Sequence, residues 1–237
     1  MKFINEKGKK INLDDFKVLG NGKCADTYHD GTMVFKKYKE DARSDYKISK
    51  EVFNILKDIN NPHFIELYDI YMLTSLPERL LYLLNASIFT IDAYTAKLYQ
   101  KENINPLYIN KDYLLSNLHE IEKLFDLIAA LKIKVDDIYI DNTVYTKDNI
   151  IIIDPDFYKL SMRPESEIRT WNKRNILVLF QSMIEDSDGM LYEEREDLIE
   201  WFRDTFYVDE ITENSNVTDS IAKELKYVKK PIDIIRR

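Results

Sequence analysis

The chain has 237 residues, of which 45% are hydrophobic and 32% are charged, and its formal net charge is −8 at pH 7. This length and composition are typical of a globular protein with a sizeable core, built as one large domain or two small lobes. The negative charge argues against indiscriminate binding to nucleic acid, because most of the surface would repel the phosphate backbone.

The first hundred residues are predicted to be rich in β-strands. Strands are expected within residues 12–39, where the pair Asp30-Gly31 is typical of a two-residue turn in a β-hairpin. The alternation after this turn places Val34 and Lys36 on the same face of the sheet.

A helix and two further strands complete this half. An apolar stripe with a 3.6-residue period predicts the helix over residues 43–58, and the helix ends before Pro62. Strands are predicted at 64–73 and at 80–93, and the second of them extends to Lys97 if its pattern continues.

The second half is predicted to be mainly helical around one hairpin. A long amphipathic helix is expected within residues 106–131, and the hairpin covers residues 143–153. Three more helices are predicted at 171–185, 193–207 and 218–227. Strands followed by helices favour an α+β protein of two lobes, with residues 1–97 in the first lobe and residues 98–237 in the second.

Other features of the sequence concern location and metal binding. No apolar run approaches the roughly 20 residues that cross a membrane, and no apolar segment typical of a secretory signal follows Met1. Cys24 is the one cysteine, so an internal disulfide is excluded and a reducing compartment, the cytoplasm, is expected. Because His29, His63 and His119 lack metal-ligand spacing, we predict structural or surface roles for them.

The most informative stretch is an acidic loop followed by the predicted hairpin. Asp137 precedes Asn142 by five residues, and Asp154 follows the apolar run from Ile150 to Ile153. These three polar residues converge on one point if the intervening strands pair. Oxygen ligands of this kind suit Mg²⁺, and a carboxylate beside them orients a hydroxyl nucleophile, which is the arrangement that phosphoryl transfer requires.

A glycine-containing turn lies near the start of the chain. Gly20 and Gly22, with the small Ala25 after them, allow the backbone to approach phosphates closely, although a plain hairpin turn has the same pattern. A strand follows the turn, which disfavours the strand-turn-helix unit of dinucleotide-binding folds. The pattern favours a turn between antiparallel strands that lies over a nucleotide.

The strand after the Asp-Gly turn carries a candidate phosphate ligand. Lys36 is placed to reach phosphates beneath the glycine turn, and the alternative is a surface lysine on an edge strand. Glu51 on the following helix is predicted to pair with Lys36 and hold it extended, and Asp45 is the other candidate acid.

The order along the chain of the glycine turn, Lys36, Glu51, Asp137, Asn142 and Asp154 resembles that of the protein-kinase-like superfamily. This superfamily includes eukaryotic-type protein kinases and the aminoglycoside and choline phosphotransferases. The resemblance covers residues 16–185. It implies a bilobal fold with a small antiparallel-sheet lobe that contains one helix, a mainly helical second lobe, and ATP between the two. It also implies that Lys36 contacts the phosphates, that Asp137 orients the acceptor hydroxyl, and that Asn142 and Asp154 hold Mg²⁺.

The chain departs from the family pattern at two motifs. The usual histidine of the catalytic loop is replaced by Val135, and the metal-binding tripeptide is Asp154-Pro155-Asp156. Asp156 is predicted to be either an additional Mg²⁺ ligand or a residue that faces solvent.

Several functions agree with these residues. The first is transfer of the γ-phosphoryl group of ATP to a hydroxyl of a protein (Ser/Thr) or of a small molecule. The second is a pseudokinase that acts as a scaffold or regulator, with or without bound nucleotide. The third is a related chemistry in which the nucleotide rather than the phosphate is transferred.

Overall fold

A computed structural model describes residues 1–73, 91–99, 110–185 and 192–206. These residues form an α+β structure, which confirms the predicted class. The strands are β1 (Lys2–Asn5), β2 (Lys10–Asn12), β3 (Lys17–Asn21), β4 (Ala25–His29), β5 (Met33–Tyr38), β6 (Leu67–Leu73), β7 (Ala93–Lys97), β8 (Ile133–Lys134), β9 (Thr143–Tyr145), β10 (Ile150–Ile152) and β11 (Lys159–Leu160). The helices are α1 (Lys50–Lys57), α2 (Lys111–Ala130), α3 (Glu165–Glu185) and α4 (Tyr192–Phe206).

The first seven strands form one antiparallel sheet in the order β2-β1-β6-β7-β5-β4-β3. The hairpin predicted at Asp30-Gly31 is present, since β4 pairs with β5 and Gly31 has the positive φ of 102° that favours glycine. Lys36 lies opposite Thr27 on one neighbouring strand and opposite Tyr94 on the other. It therefore projects from a central strand of the sheet, not from an edge strand.

An N-terminal hairpin formed by β1 and β2 was missed at the level of sequence. Its strands have four and three residues, too short for a clear alternation of apolar and polar residues. Phe3 and Ile11 face each other across the pair and are both buried. The side chain of Asn5 fixes the turn, because its Oδ1 accepts hydrogen bonds from the backbone N–H groups of Lys7 and Lys9.

Helix α1 is shorter than the predicted span of 43–58. It begins at Lys50 because the Ser49 hydroxyl accepts a hydrogen bond from the Val52 N–H at 3.2 Å and caps the helix. Residues 44–46 form a separate single turn of 3₁₀-helix. The apolar stripe read from the sequence was right about the buried face but gave no information about the start of the helix.

The later helices agree with the prediction more closely. Helix α2 is capped by Asn110, whose Oδ1 accepts from the Tyr113 N–H at 2.9 Å, and α4 lies within one residue of its predicted bounds. Helix α3 begins six residues before the predicted position 171, at Glu165, directly after Pro164. The predicted helix at 218–227 and residues 80–90 of the predicted second strand lie outside the described residues.

The sheet has an apolar cluster on each face. The outer cluster contains Phe3, Ile11, Leu13, Phe35, Tyr71 and Ala93. The inner face packs against α1, the β9–β10 hairpin and helices α2 to α4 in one continuous core. Each large apolar side chain buried there contributes on the order of 1.5–3 kcal/mol to the free energy of folding. Because Tyr38 and Tyr94 belong to this inner core, the face of the sheet that carries Lys36 is directed toward the helical part of the chain.

Within the described ranges, every helix is too short or too polar to cross a lipid bilayer.

The β3–β4 turn offers a test of why its two glycines are present. A Cβ at Gly22 would lie 2.9 Å from the Ala25 carbonyl oxygen, which accepts the Gly22 N–H at 2.8 Å, whereas a Cβ at Gly20 would meet nothing within 4 Å. We expect Gly22→Ala to lower the free energy of unfolding by about 1–3 kcal/mol. The matched variant Gly20→Ala should leave it unchanged or raise it by about 0.5 kcal/mol. Urea denaturation measures both, and equal losses in the two variants would contradict this account of the turn.

Candidate active site

The β9–β10 hairpin brings the acidic residues together, as their spacing predicted. Thr143 pairs with Ile152, and the Ile153 N–H donates to the Asn142 carbonyl at 2.9 Å, so Asn142 and Asp154 flank the same end of the hairpin. The Asn142 side-chain Nδ2 donates to the Asp137 carbonyl at 2.8 Å and to its Oδ2 at 3.3 Å.

The position of β10 is fixed from the sheet side as well. The Ile152 N–H donates to the His63 carbonyl at 3.0 Å, and the Ile65 N–H donates to the Ile152 carbonyl at 2.9 Å. The buried His63 ring adds a hydrogen bond from its Nδ1 to the Ile150 carbonyl at 3.0 Å. Its role is structural, as predicted, and the segment after α1 holds the strand that leads to Asp154.

Lys36 reaches across to the acidic segment after β10. Its Nζ lies 2.5 Å from Asp154 Oδ2 and 2.8 Å from Asp156 Oδ2. The Lys36 side chain is 14% exposed, that of Asp154 is 24% exposed, and that of Asp156 is 4% exposed. Two carboxylates therefore share one ammonium group at the junction between the sheet and the helical part.

Asp156 does not face solvent, which was one of the two possibilities that the sequence suggested. Its Oδ1 accepts a hydrogen bond from the Tyr38 hydroxyl at 2.7 Å, and that hydroxyl in turn accepts from the Ile48 N–H at 3.1 Å. With Lys36 on its other oxygen, the carboxylate is satisfied by protein groups inside the core. The sequence gives no signal for this, because Tyr38 and Lys36 lie on a strand far from Asp156 along the chain.

Burial and charge shift the pKa values of the cluster in definite directions. Burial raises the pKa of Asp156 to about 6, although the Lys36 ammonium lowers it. Burial lowers the pKa of Lys36, but the charges of Asp156 and Asp154 outweigh burial and raise it above its usual value. Lys36 is therefore a permanent cation in this environment.

Asp137 occupies a special position in the loop before the hairpin. Its φ is 63°, in the left-handed region that is uncommon for residues other than glycine and is frequent at functional sites. Burial, and then the charge of Asp154, raise the pKa of its carboxyl group. A carboxylate with a raised pKa is better matched to accepting a proton near neutral pH.

Helix α3 holds the loop before Asp137 through hydrogen bonds that the sequence did not indicate. The Asn172 Oδ1 accepts from the Val135 N–H at 2.9 Å, and the Trp171 Nε1 donates to the Val135 carbonyl at 3.0 Å and to Asp136 Oδ1 at 2.9 Å. These bonds fix the two residues directly before Asp137. Both backbone groups of Val135 are therefore held by α3.

Ala25 lies on β4, the strand next to that of Lys36, and Gly20 lies on β3, one strand farther out. Gly20 pairs with Thr27, which lies opposite Lys36, and Ala25 lies opposite Tyr38. The turn thus connects two antiparallel strands, as predicted.

Glu51 requires a correction. It lies exposed in the first turn of α1, and the predicted ion pair with Lys36 is replaced by the pairs to Asp154 and Asp156. The other candidate, Asp45, pairs with Arg43 at 2.7 Å. The spacing of an acid on the helix after the lysine strand was therefore misleading.

The side chains near Asp154 supply few oxygen ligands for Mg²⁺. In the described parts of the chain, no group of three or more His, Cys, Asp and Glu side chains is arranged to hold a metal ion. Asp154 is the more accessible carboxylate on Lys36, and because Asn142 donates through its Nδ2, the Asn142 Oδ1 would be the atom to coordinate a cation. Two oxygen ligands suit an ion that completes its shell with water and phosphate oxygens.

A scan against models of protein families and a search of curated proteins both give no match. The chemistry of the cluster itself is therefore the basis for a functional proposal.

The raised pKa of Asp156 predicts a pH-dependent stability. Between about pH 3.8 and 6, the folded protein holds a proton on Asp156 that the unfolded chain has released, so this group makes the wild type less stable as pH rises through that window. Asp156→Asn lacks this titration. In metal-free buffer with EDTA, the melting temperature of the variant minus that of the wild type should therefore increase from pH 4 to pH 6.

The control for this measurement is Asp148→Asn, at the exposed turn of the same hairpin. Its difference from the wild type should stay nearly constant over the same range. A flat or falling difference for Asp156→Asn would mean that Asp156 titrates normally in the folded protein.

Proposed function

We propose that this protein is an ATP- and Mg²⁺-dependent phosphotransferase with a bilobal protein-kinase-like fold, which transfers the γ-phosphoryl group to a hydroxyl acceptor. The observation that carries the proposal is the ion pair between Lys36 and Asp154, 2.5 Å apart although 118 residues separate them along the chain. It joins the lysine of the sheet to the carboxylate after the β9–β10 hairpin, beside Asn142 and Asp137.

Each group in this arrangement has a distinct chemical role. Lys36, as a permanent cation, neutralises phosphate charge beneath the β3–β4 turn. Asp154 and the Asn142 oxygen are the residues that would hold Mg²⁺, which supplies charge neutralisation between phosphate oxygens when bound. Asp137 accepts the hydrogen bond of the acceptor hydroxyl and orients it toward the phosphate.

The acceptor is proposed at the level of its reacting group, a hydroxyl of a protein side chain (Ser/Thr) or of a small molecule. A cytoplasmic location belongs to the same proposal, because a single cysteine, Cys24, and a supply of ATP both fit that compartment.

A pseudokinase scaffold is the second candidate, and one observation favours it. The Lys36 ammonium is already engaged by two carboxylates, so a nucleotide must compete with them for the cation. The presence of Asp137, Asn142 and Asp154 around the same point favours an active site over the scaffold, because a scaffold has no need to keep these groups together.

The first experiment is a thermal-shift titration with ATP, with and without Mg²⁺, on the wild type and on Asp154→Asn. We expect a metal-dependent rise in melting temperature for the wild type, because bound ligand stabilises the folded state, and its loss in Asp154→Asn. Asp148→Asn, on the same hairpin, serves as the control and should behave as the wild type does. Absence of a shift in all three proteins would favour the nucleotide-free scaffold.

The second experiment separates binding from chemistry at Asp137. Asp137→Asn should retain the stabilisation by Mg²⁺ and ATP, because the side chain is directed to the acceptor. The release of inorganic phosphate from ATP, with water as the acceptor, should fall by roughly 10²–10⁴-fold. Phosphate release that equals the wild-type rate would remove Asp137 from this role.

A further inference from the structure

We propose that Asp156 is the positioning residue for Lys36 and that helix α1 takes no part in holding the lysine. The significance of Lys36 in this inference rests on the proposed function, whereas the ion pair itself does not. The two carboxylates on Lys36 differ in surroundings, and that difference assigns them separate roles.

Asp156 is the carboxylate that stays in place. Its side chain is 4% exposed, one oxygen accepts from Lys36 at 2.8 Å, and the other accepts from the Tyr38 hydroxyl at 2.7 Å. Moving Asp156 would leave the buried Lys36 ammonium without this partner and the Tyr38 hydroxyl without its acceptor. Both losses are costly in the core. Both oxygens of Asp156 are therefore occupied by protein groups and have little contact with solvent.

Asp154 is the carboxylate that is able to change partners. Its side chain is 24% exposed, and its Oδ1 has only a long hydrogen bond of 3.3 Å from the Asp156 N–H. When Asp154 engages a metal ion, Asp156 still pairs with Lys36. Without Asp156, the buried ammonium would depend on a single carboxylate that is also required as a metal ligand.

Helix α1 contributes its apolar side to the core and its polar side to solvent. Val52, Phe53 and Leu56 are buried, whereas Glu51 is exposed. Because Asp154 and Asp156 belong to one short segment, the lysine anchor and the metal ligand move together. A change in the orientation of α1 therefore leaves the ion pair between Lys36 and Asp156 intact. The position of Lys36 in the site does not depend on the orientation of this helix.

A double-mutant cycle on stability tests the pairing without nucleotide or metal. The cycle combines Lys36→Met with Asp156→Asn, and the comparison cycle combines Lys36→Met with Glu51→Gln, all in buffer with EDTA. We expect the unfolding equilibrium constant of the first double variant to differ about tenfold from the product of the single effects, since contacting residues are coupled. The comparison cycle should be additive, and coupling to Glu51 in place of Asp156 would overturn the proposal.

A second variant covers the case in which Asp156→Asn does not fold. Tyr38→Phe removes only the hydroxyl that fixes Asp156, so both members of the ion pair remain present. It should also couple to Lys36→Met, and additivity in that cycle would equally overturn the proposal.

The same variants, titrated with ATP and Mg²⁺ by calorimetry, show whether Asp156 acts through Lys36. Asp156→Asn should weaken ATP binding about tenfold in the wild-type background and have no further effect in the Lys36→Met background. A merely structural role for Asp156 would produce the same loss in both backgrounds. Glu51→Gln should bind as the wild type does.

The outcomes separate the two proposals. If the wild type does not bind ATP, the proposed function fails, and the stability cycle still decides whether Asp156 or Glu51 anchors Lys36. If the wild type binds ATP and the effects of Asp156→Asn and Lys36→Met are additive, the inference about Asp156 fails while the nucleotide site stands.

Discussion

The structure depends on one buried ammonium group. Lys36 is placed by a central strand of the sheet at a point where water has little access, and an unpaired charge there would cost several kcal/mol. The fold satisfies it with carboxylates from a segment 118 residues later. Because both partners belong to one short segment after β10, the requirement to pair Lys36 also fixes the distance between the sheet and the β9–β10 hairpin.

Several elements contribute to keeping that segment in place. The backbone of His63 and Ile65 binds β10 from one side, and β9 binds it from the other. Helix α3 holds the loop before the hairpin through Trp171 and Asn172. Most of these are hydrogen bonds to backbone groups, which form whatever side chains those residues carry. The acidic side chains at the end of the hairpin are therefore not required for these contacts.

The sequence predicted the parts of the site that depend on local spacing. Asp137, Asn142 and Asp154 are joined by a hairpin, and Lys36 follows from strand alternation, so both were accessible to pattern reasoning. Asp156 was misjudged because nothing local distinguishes it from Asp154, and only Tyr38, from the sheet, decides which of the two is buried. Glu51 was misjudged because its spacing from Lys36 along the chain gave no information about the carboxylates of Asp154 and Asp156, which pair with the lysine from a distant segment. The α3 contacts and the short β1–β2 hairpin had no periodic signal to reveal them.

The balance of charge in the cluster bears on the choice between an enzyme and a scaffold. Asp154 and Asp156 pair with the single ammonium of Lys36, and burial together with the charge of Asp154 raises the pKa of the third carboxyl group of the cluster, that of Asp137. Such a site repels a polyanionic nucleotide unless a further cation is present. A scaffold gains nothing from this excess of negative charge, which costs stability, whereas a site that admits a nucleotide only together with a divalent cation requires it. Under the proposed function, this electrostatic cost would favour nucleotide that arrives with a divalent cation over free nucleotide.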